Sequence, residues 1–153
     1  MVRKHSIAVL FIIILIAAGG NQNLNAQESR LDSLMGITRK LLDTRDRIRT
    51  YNLIASELRS SDRYKAAEMA EKALTLAIGA DDRTGLASAL AIKGQLSEDA
   101  DDFSDALDYY LKALDIYLEL DNEEEIARLH SMAGSISKTL GNYDMAIEHC
   151  HAS

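Results

Sequence analysis

Small residues return along this chain at a fixed interval of forty positions, and that interval limits the fold more than any other feature. Ala66, Ala106 and Ala146 form one series, Ala70, Tyr110 and Cys150 a second, and Ala73, Ala113 and Ser153 a third. Gly94 and Gly134 stand at the same step, and Lys72-Ala73-Leu74 returns as Lys112-Ala113-Leu114. Asp62, Asp102 and Asn142 lie just before the alanine positions. A period between about twenty and fifty residues marks stacked supersecondary units, each too thin to bury its apolar side alone. A chain of that kind offers extended surfaces, so it is expected to bind rather than to enclose a catalytic pocket.

Composition narrows the class further. Proline is absent and aromatic residues make up 5 % of the 153 positions, which disfavours an all-β fold. The formal net charge is -7. Phosphate backbones are held by clustered Lys and Arg, so no nucleic-acid partner is expected. The single cysteine, Cys150, allows no intramolecular disulfide. Catalytic signatures are missing as well: there is no phosphate-cradling glycine loop, no GxSxG elbow and no HExxH pair. No enzyme activity and no cofactor are expected. His149-Cys150-His151 is the one group with metal-binding residue types, but alternate residues on a helix point about 200° apart and cannot converge on one ion. No metal is expected, and Cys150 reads as a buried packing thiol.

The N-terminus has the order of a secretory signal peptide: Arg3 and Lys4, then the apolar run Ile7 to Ala18, then Gly19-Gly20 and a polar stretch to Gln27. A membrane-crossing helix needs about 20 apolar residues, so the run is short for a permanent anchor. Cleavage is expected after Ala26, giving a signal peptide over 1–26 and a periplasmic or secreted product. An uncleaved segment would instead anchor the chain in the inner membrane, the one route to a membrane that the sequence offers.

Leu31, Leu34, Ile37, Leu41 and Leu42 recur at helical spacing, which predicts an N-terminal helix within 27–44. From Arg45 onward the pattern becomes pairs of helices, A and B. The first pair reads as Arg45–Arg59 and Tyr64–Ile78, the second as Arg83–Ala100 and Phe103–Leu120, and the third as Glu123–Leu140 with a B helix opening at Tyr143. Short separators rich in Ser, Asp, Asn and Gly force consecutive helices to run antiparallel. The units are 45–82, 83–122 and 123–153, the last incomplete.

These units resemble the tetratricopeptide repeat in its longer form. In the second unit the resemblance rests on Leu90, Gly94, Phe103, Ala106, Tyr110 and Ala113; in the third, on Ala133, Gly134, Gly141, Tyr143 and Ala146; in the first, on Tyr51, Ile54, Ala55, Ala66, Ala70 and Ala73. The first unit has one residue fewer between its helices, and Lys93 and His130 stand where the family usually has large apolar residues. The fold class implied is all-α, a tetratricopeptide-type α-solenoid of stacked antiparallel helix pairs. Gly94 and Gly134 should let each B helix approach its A helix, with Ala106 and Ala146 opposite them. Tyr110 and Tyr117, seven apart, should face the neighbouring unit.

The resemblance implies a concave groove lined by the A helices and open to an extended peptide or a partner helix. Projecting the repeat positions places Arg49, Asn52, Ser56 and Arg59 there from the first unit, Ser88, Gln95, Glu98 and Asp99 from the second, and Arg128, Ser131, Ser135 and Lys138 from the third. The last B helix has no closing helix after it, so the chain reads as a fragment, or as one whose exposed end is covered by self-association with another chain. A second reading follows from Leu31-Asp32-Ser33-Leu34 ahead of repeats of this length. That order is similar to the extracytoplasmic sensor regions of bacterial two-component histidine kinases, and the chain would then be a truncated sensor acting in signal transduction.

Overall fold

The computed structural model describes residues 43–152, and every regular element among them is an α-helix. In chain order they are α1 (Thr44–Leu58), α2 (Arg63–Gly79), α3 (Arg83–Glu98), α4 (Phe103–Glu119), α5 (Glu123–Thr139) and α6 (Tyr143–Ala152). Each begins within one residue of the start that the spacing predicts. The expected signal segment and the helix expected over residues 27–44 lie outside the described residues, apart from the last two positions. No described helix is long and apolar enough to cross a membrane.

The helix boundaries follow from a signal that returns every twenty residues. Asp62, Asp82 and Asn122 cap α2, α3 and α5, each side chain accepting from the backbone N–H three residues on. Asp43 does the same for α1, accepting from the Asp46 N–H. At the other end, Asp81, Asp101, Asp121 and Gly141 all take positive φ. The residue after each donates its N–H to a carbonyl five positions back: Asp82 to Ala77, Asp102 to Ser97, Asn122 to Tyr117 and Asn142 to Ser137. This left-handed stop satisfies the last carbonyls and turns the chain into the next helix. The connection between α1 and α2 differs. There Asp62 donates only four positions back, to Leu58, and no residue takes positive φ. The residue missing from the first unit is therefore the one that makes the left-handed stop elsewhere.

Helices pack on their chain neighbours, and α1 also packs on α3. The arrangement is an α-solenoid with two apolar clusters sharing its central helix. The first joins Tyr51, Ile54 and Leu58 of α1, Met69 and Ala73 of α2, and Ala89, Ile92 and Leu96 of α3. The second joins Ala87 and Ala91 of α3, Tyr110, Leu114 and Tyr117 of α4, and Leu129, Ala133 and Ile136 of α5. Because α3 is buried on two faces, small side chains serve it better than a single bulky stripe.

Helix α4 approaches α3 closely at Gly94, as expected, and Tyr110 rather than Ala106 supplies the atoms nearest that point. A Cβ placed on Gly94 would meet the Tyr110 ring, with Cε1 at 2.5 Å and Cδ1 at 2.6 Å. Tyr110 thus reaches back to the A helix of its own pair as well as joining the cluster with α5, because the glycine leaves a notch that the flat ring fills. Ala106 is nonetheless fully buried. Ala106→Leu should lower stability by about 1–3 kcal/mol through overpacking, read from the thermal midpoint; an unshifted midpoint would mean that the site has room to spare.

Candidate functional site

The polar face of the A helices carries the residues that the repeat positions single out, and the structure divides them into three groups. Arg49, Ser56, Ser131, Ser135 and Lys138 are exposed, and Gln95 is half-buried. Of these, only Arg49 has an ion pair, a loose one to Asp46 at 3.7 Å within α1. Arg128 is exposed too, with its guanidinium on Glu125 one turn earlier, Nε to Oε2 2.8 Å. Exposed pairs of this sort contribute about 0–1 kcal/mol and yield readily to a competing carboxylate.

The second group is engaged inside the protein. Ser88 hydrogen-bonds the Tyr117 hydroxyl at 2.8 Å, and Glu98 accepts from the Tyr110 hydroxyl at 2.6 Å. Burial pushes both phenols above their ordinary value; at Tyr110 the Glu98 carboxylate adds to the shift, and at Tyr117 the Ser88 bond opposes it. Arg59 and Asp99 pair with each other at 3.4 Å, joining the ends of α1 and α3. Arg63 donates to the Asp99 carbonyl at 3.1 Å, so Asp99 is held from two sides.

Asn52 is a correction. It is 7 % exposed and donates through Nδ2 to the Gly85 carbonyl at 3.0 Å. The cause is Gly85, where a Cβ would lie 2.5 Å from Ile48 Cγ2. Lacking one, α3 settles onto α1 and covers Asn52. The equivalent position in α5 is Glu125, and α3 and α5 make no comparable contact. The A-helix face is therefore closed between α1 and α3 and more open between α3 and α5.

Two further groups were not evident from spacing. Lys93 pairs with Glu71 of α2 at 2.7 Å and lies 5.3 Å from the centre of the Tyr109 ring, which Lys112 approaches at 5.9 Å from its own helix. Burial opposes the Lys93 charge, but Glu71 and Tyr109 outweigh it and hold the ammonium above its usual range. Lys93, Glu71 and Tyr109, with Arg63 and Tyr64, line a surface cleft of about 360 Å³ between α2, α3 and α4. Only the departure of Lys93 from the apolar pattern pointed there. Cys150, expected to be buried, is exposed; its sulfur lies 3.6 Å from where a Cβ on Gly134 would stand.

Chemically, the A-helix face offers amide, hydroxyl, ammonium and guanidinium groups in rows. Among the described residues no three His, Cys, Asp or Glu side chains are grouped to hold a metal ion. The arrangement suits recognition of a polypeptide's backbone and carboxylates.

No family model and no curated protein matches the chain. Solved structures do. BtubC (BKLC) from P. vanneervenii superposes with a TM-score of 0.70 at 20 % identity, over 80 % of this chain and 52 % of that one. A Signal Transduction ATPase with Numerous Domains that carries a tetratricopeptide repeat sensor, from Pyrococcus horikoshii, superposes with a TM-score of 0.70 at 18 % identity, over 83 % of this chain and 20 % of that one. The chain thus spans about half the length of the first and a fifth of the second. At these identities the likeness concerns the fold, and six packed helices alike to a tetratricopeptide sensor fit a helical repeat of that kind.

Proposed function

We propose that the chain is an exported, non-enzymatic protein-interaction module of tetratricopeptide type, holding an extended peptide or a partner helix along its A helices. The observation that carries this reading is the exposed polar row on α5, where Arg128, Ser131, Ser135 and Lys138 follow one another at helical spacing. Direct packing of α1 on α3, with no comparable contact between α2 and α4, supports A helices on the inner side of the curve. Mixed charge on such a face sets register and partner choice more than raw affinity. Export to the periplasm or beyond rests on the basic, apolar, polar order of residues 1–27.

A sensor role within a longer signalling protein is the second reading. The solved neighbour described as a signal-transduction ATPase with a repeat sensor favours it, since this chain covers a fifth of that protein. Continuation of the reading frame into an apolar span and a kinase domain would select it.

Arg49→Glu with Lys138→Glu tests the groove. Both side chains are exposed, so helicity should be unchanged, while the set of envelope proteins retained by the immobilised chain should shift. An unchanged set would mean that the A-helix face is idle.

A further inference from the structure

The third helix pair contains a contact that the first two lack. His130 takes the α5 position filled by Leu90 in α3 and Tyr51 in α1, and His149 takes the α6 position filled by Tyr109 in α4 and Met69 in α2. Their Nδ1 atoms are 2.9 Å apart, with ring centroids at 5.2 Å and planes inclined by 44°. His149 is 8 % exposed and His130 is half-buried. The two rings come from different helices, and α6 makes no comparable contact with any described helix except α5.

Two ring nitrogens at that distance hold one hydrogen between them. In the uncharged pair, one ring donates Nδ1–H to the bare Nδ1 of the other. A first added proton enters at Nε2 of the donor ring, leaves the bridge in place and makes it charge-assisted. A second proton has only the bare Nδ1 to occupy. Its arrival removes the acceptor and sets two imidazolium cations in contact. We propose that His130 and His149 form a proton-operated latch between α5 and α6, closed with none or one proton and opened by two.

The surroundings set where it opens. Burial is the largest influence on His130, the charge on His149 acts in the same direction, and Glu148 of α6 opposes both; the result is a pKa below the ordinary imidazole value of 6.5. Among the described residues, α4, the other helix packed on α5, adds no charged group that acts on this ring. The open state therefore binds more protons than the closed one. The contact holds above pH 6.5 and is lost as falling pH brings the second proton. The first two pairs, with Tyr51, Met69, Leu90 and Tyr109 at the matching places, have nothing there to protonate in that range.

Backbone amide exchange on the full chain, corrected for intrinsic rates and followed from about pH 7.5 to about pH 5, tests the latch across the range where imidazoles titrate. Protection in α6 should fall below pH 6.5 with a slope approaching tenfold per pH unit, the limit for one proton taken up on opening, while α4 amides hold steady. His130→Leu, which installs the α3 residue, should abolish the slope, and His149→Met, which installs the α2 residue, should do so independently. Wild-type α6 protection that ignores pH would overturn the proposal, as would an undiminished slope in either variant. So would imidazole nitrogen spectra in which the two rings titrate independently.

Discussion

Tyr110→Ala should lower the free energy of unfolding by about 3–5 kcal/mol, the range for removing a large buried aromatic side chain. The ring is fully buried and belongs to the cluster that joins α3, α4 and α5, so its loss loosens two helix contacts at once. Its hydroxyl also donates to Glu98 at 2.6 Å. Tyr110→Phe separates the two roles. Glu98 is half-exposed and can turn to water, so loss of the hydroxyl alone should cost about 1 kcal/mol. Urea denaturation followed by far-ultraviolet circular dichroism measures both. An alanine variant within about 1 kcal/mol of wild type would mean that the ring is not what holds α4 between α3 and α5.

Gly94→Ala is the second large effect, and its sign depends on Tyr110. In an ordinary helix interior the change should stabilise by about 0.5–1 kcal/mol, because glycine loses more backbone freedom on folding. Here the new methyl would fall 2.5 Å from Tyr110 Cε1. The ring cannot swing away while it is enclosed and tied to Glu98, so a net loss of about 1–3 kcal/mol is expected. On a Tyr110→Ala background the obstacle is gone, and the same substitution should become stabilising. Gly134 provides a contrast at the equivalent position. A methyl there would meet His149 Cβ at 3.3 Å and the Ala146 carbonyl at 3.5 Å, tight but tolerable contacts. Gly134→Ala should therefore be close to neutral. Additive effects of Gly94→Ala and Tyr110→Ala, with no coupling in the double-mutant cycle, would refute the notch.

The two glycines show how far linear reading goes. Their forty-residue spacing marks both as places of close helix approach, and both are. It does not reveal that one receives a tyrosine ring and the other the backbone of a histidine-bearing helix. The groove residues divide in the same way. Exposure of Arg49, Ser56, Ser131, Ser135 and Lys138 follows from their phase on each helix. Asn52 has the same phase but lies buried, because Gly85, thirty-three residues later, draws α3 over it. Glu98 and Ser88 are claimed by Tyr110 and Tyr117 from the next helix. His130 was legible only as a misfit in an apolar position. Its partner lies nineteen residues away on α6, at a place where α4 carries tyrosine and α2 methionine.

Helix content, the order of six helices, their stops and their pairing were already contained in the chain, since these depend on neighbours within one or two turns. Caps at Asp62, Asp82 and Asn122, left-handed stops at Asp81, Asp101, Asp121 and Gly141, and apolar residues at helical spacing are all local facts. Which side chain meets which across a contact was decided by packing in three dimensions. Helical phase gives the direction in which a residue points, whereas the distance to the facing helix depends on side-chain volumes on both surfaces together. A missing methyl at Gly85 or Gly94 moves that surface enough to bury an asparagine or admit a tyrosine ring.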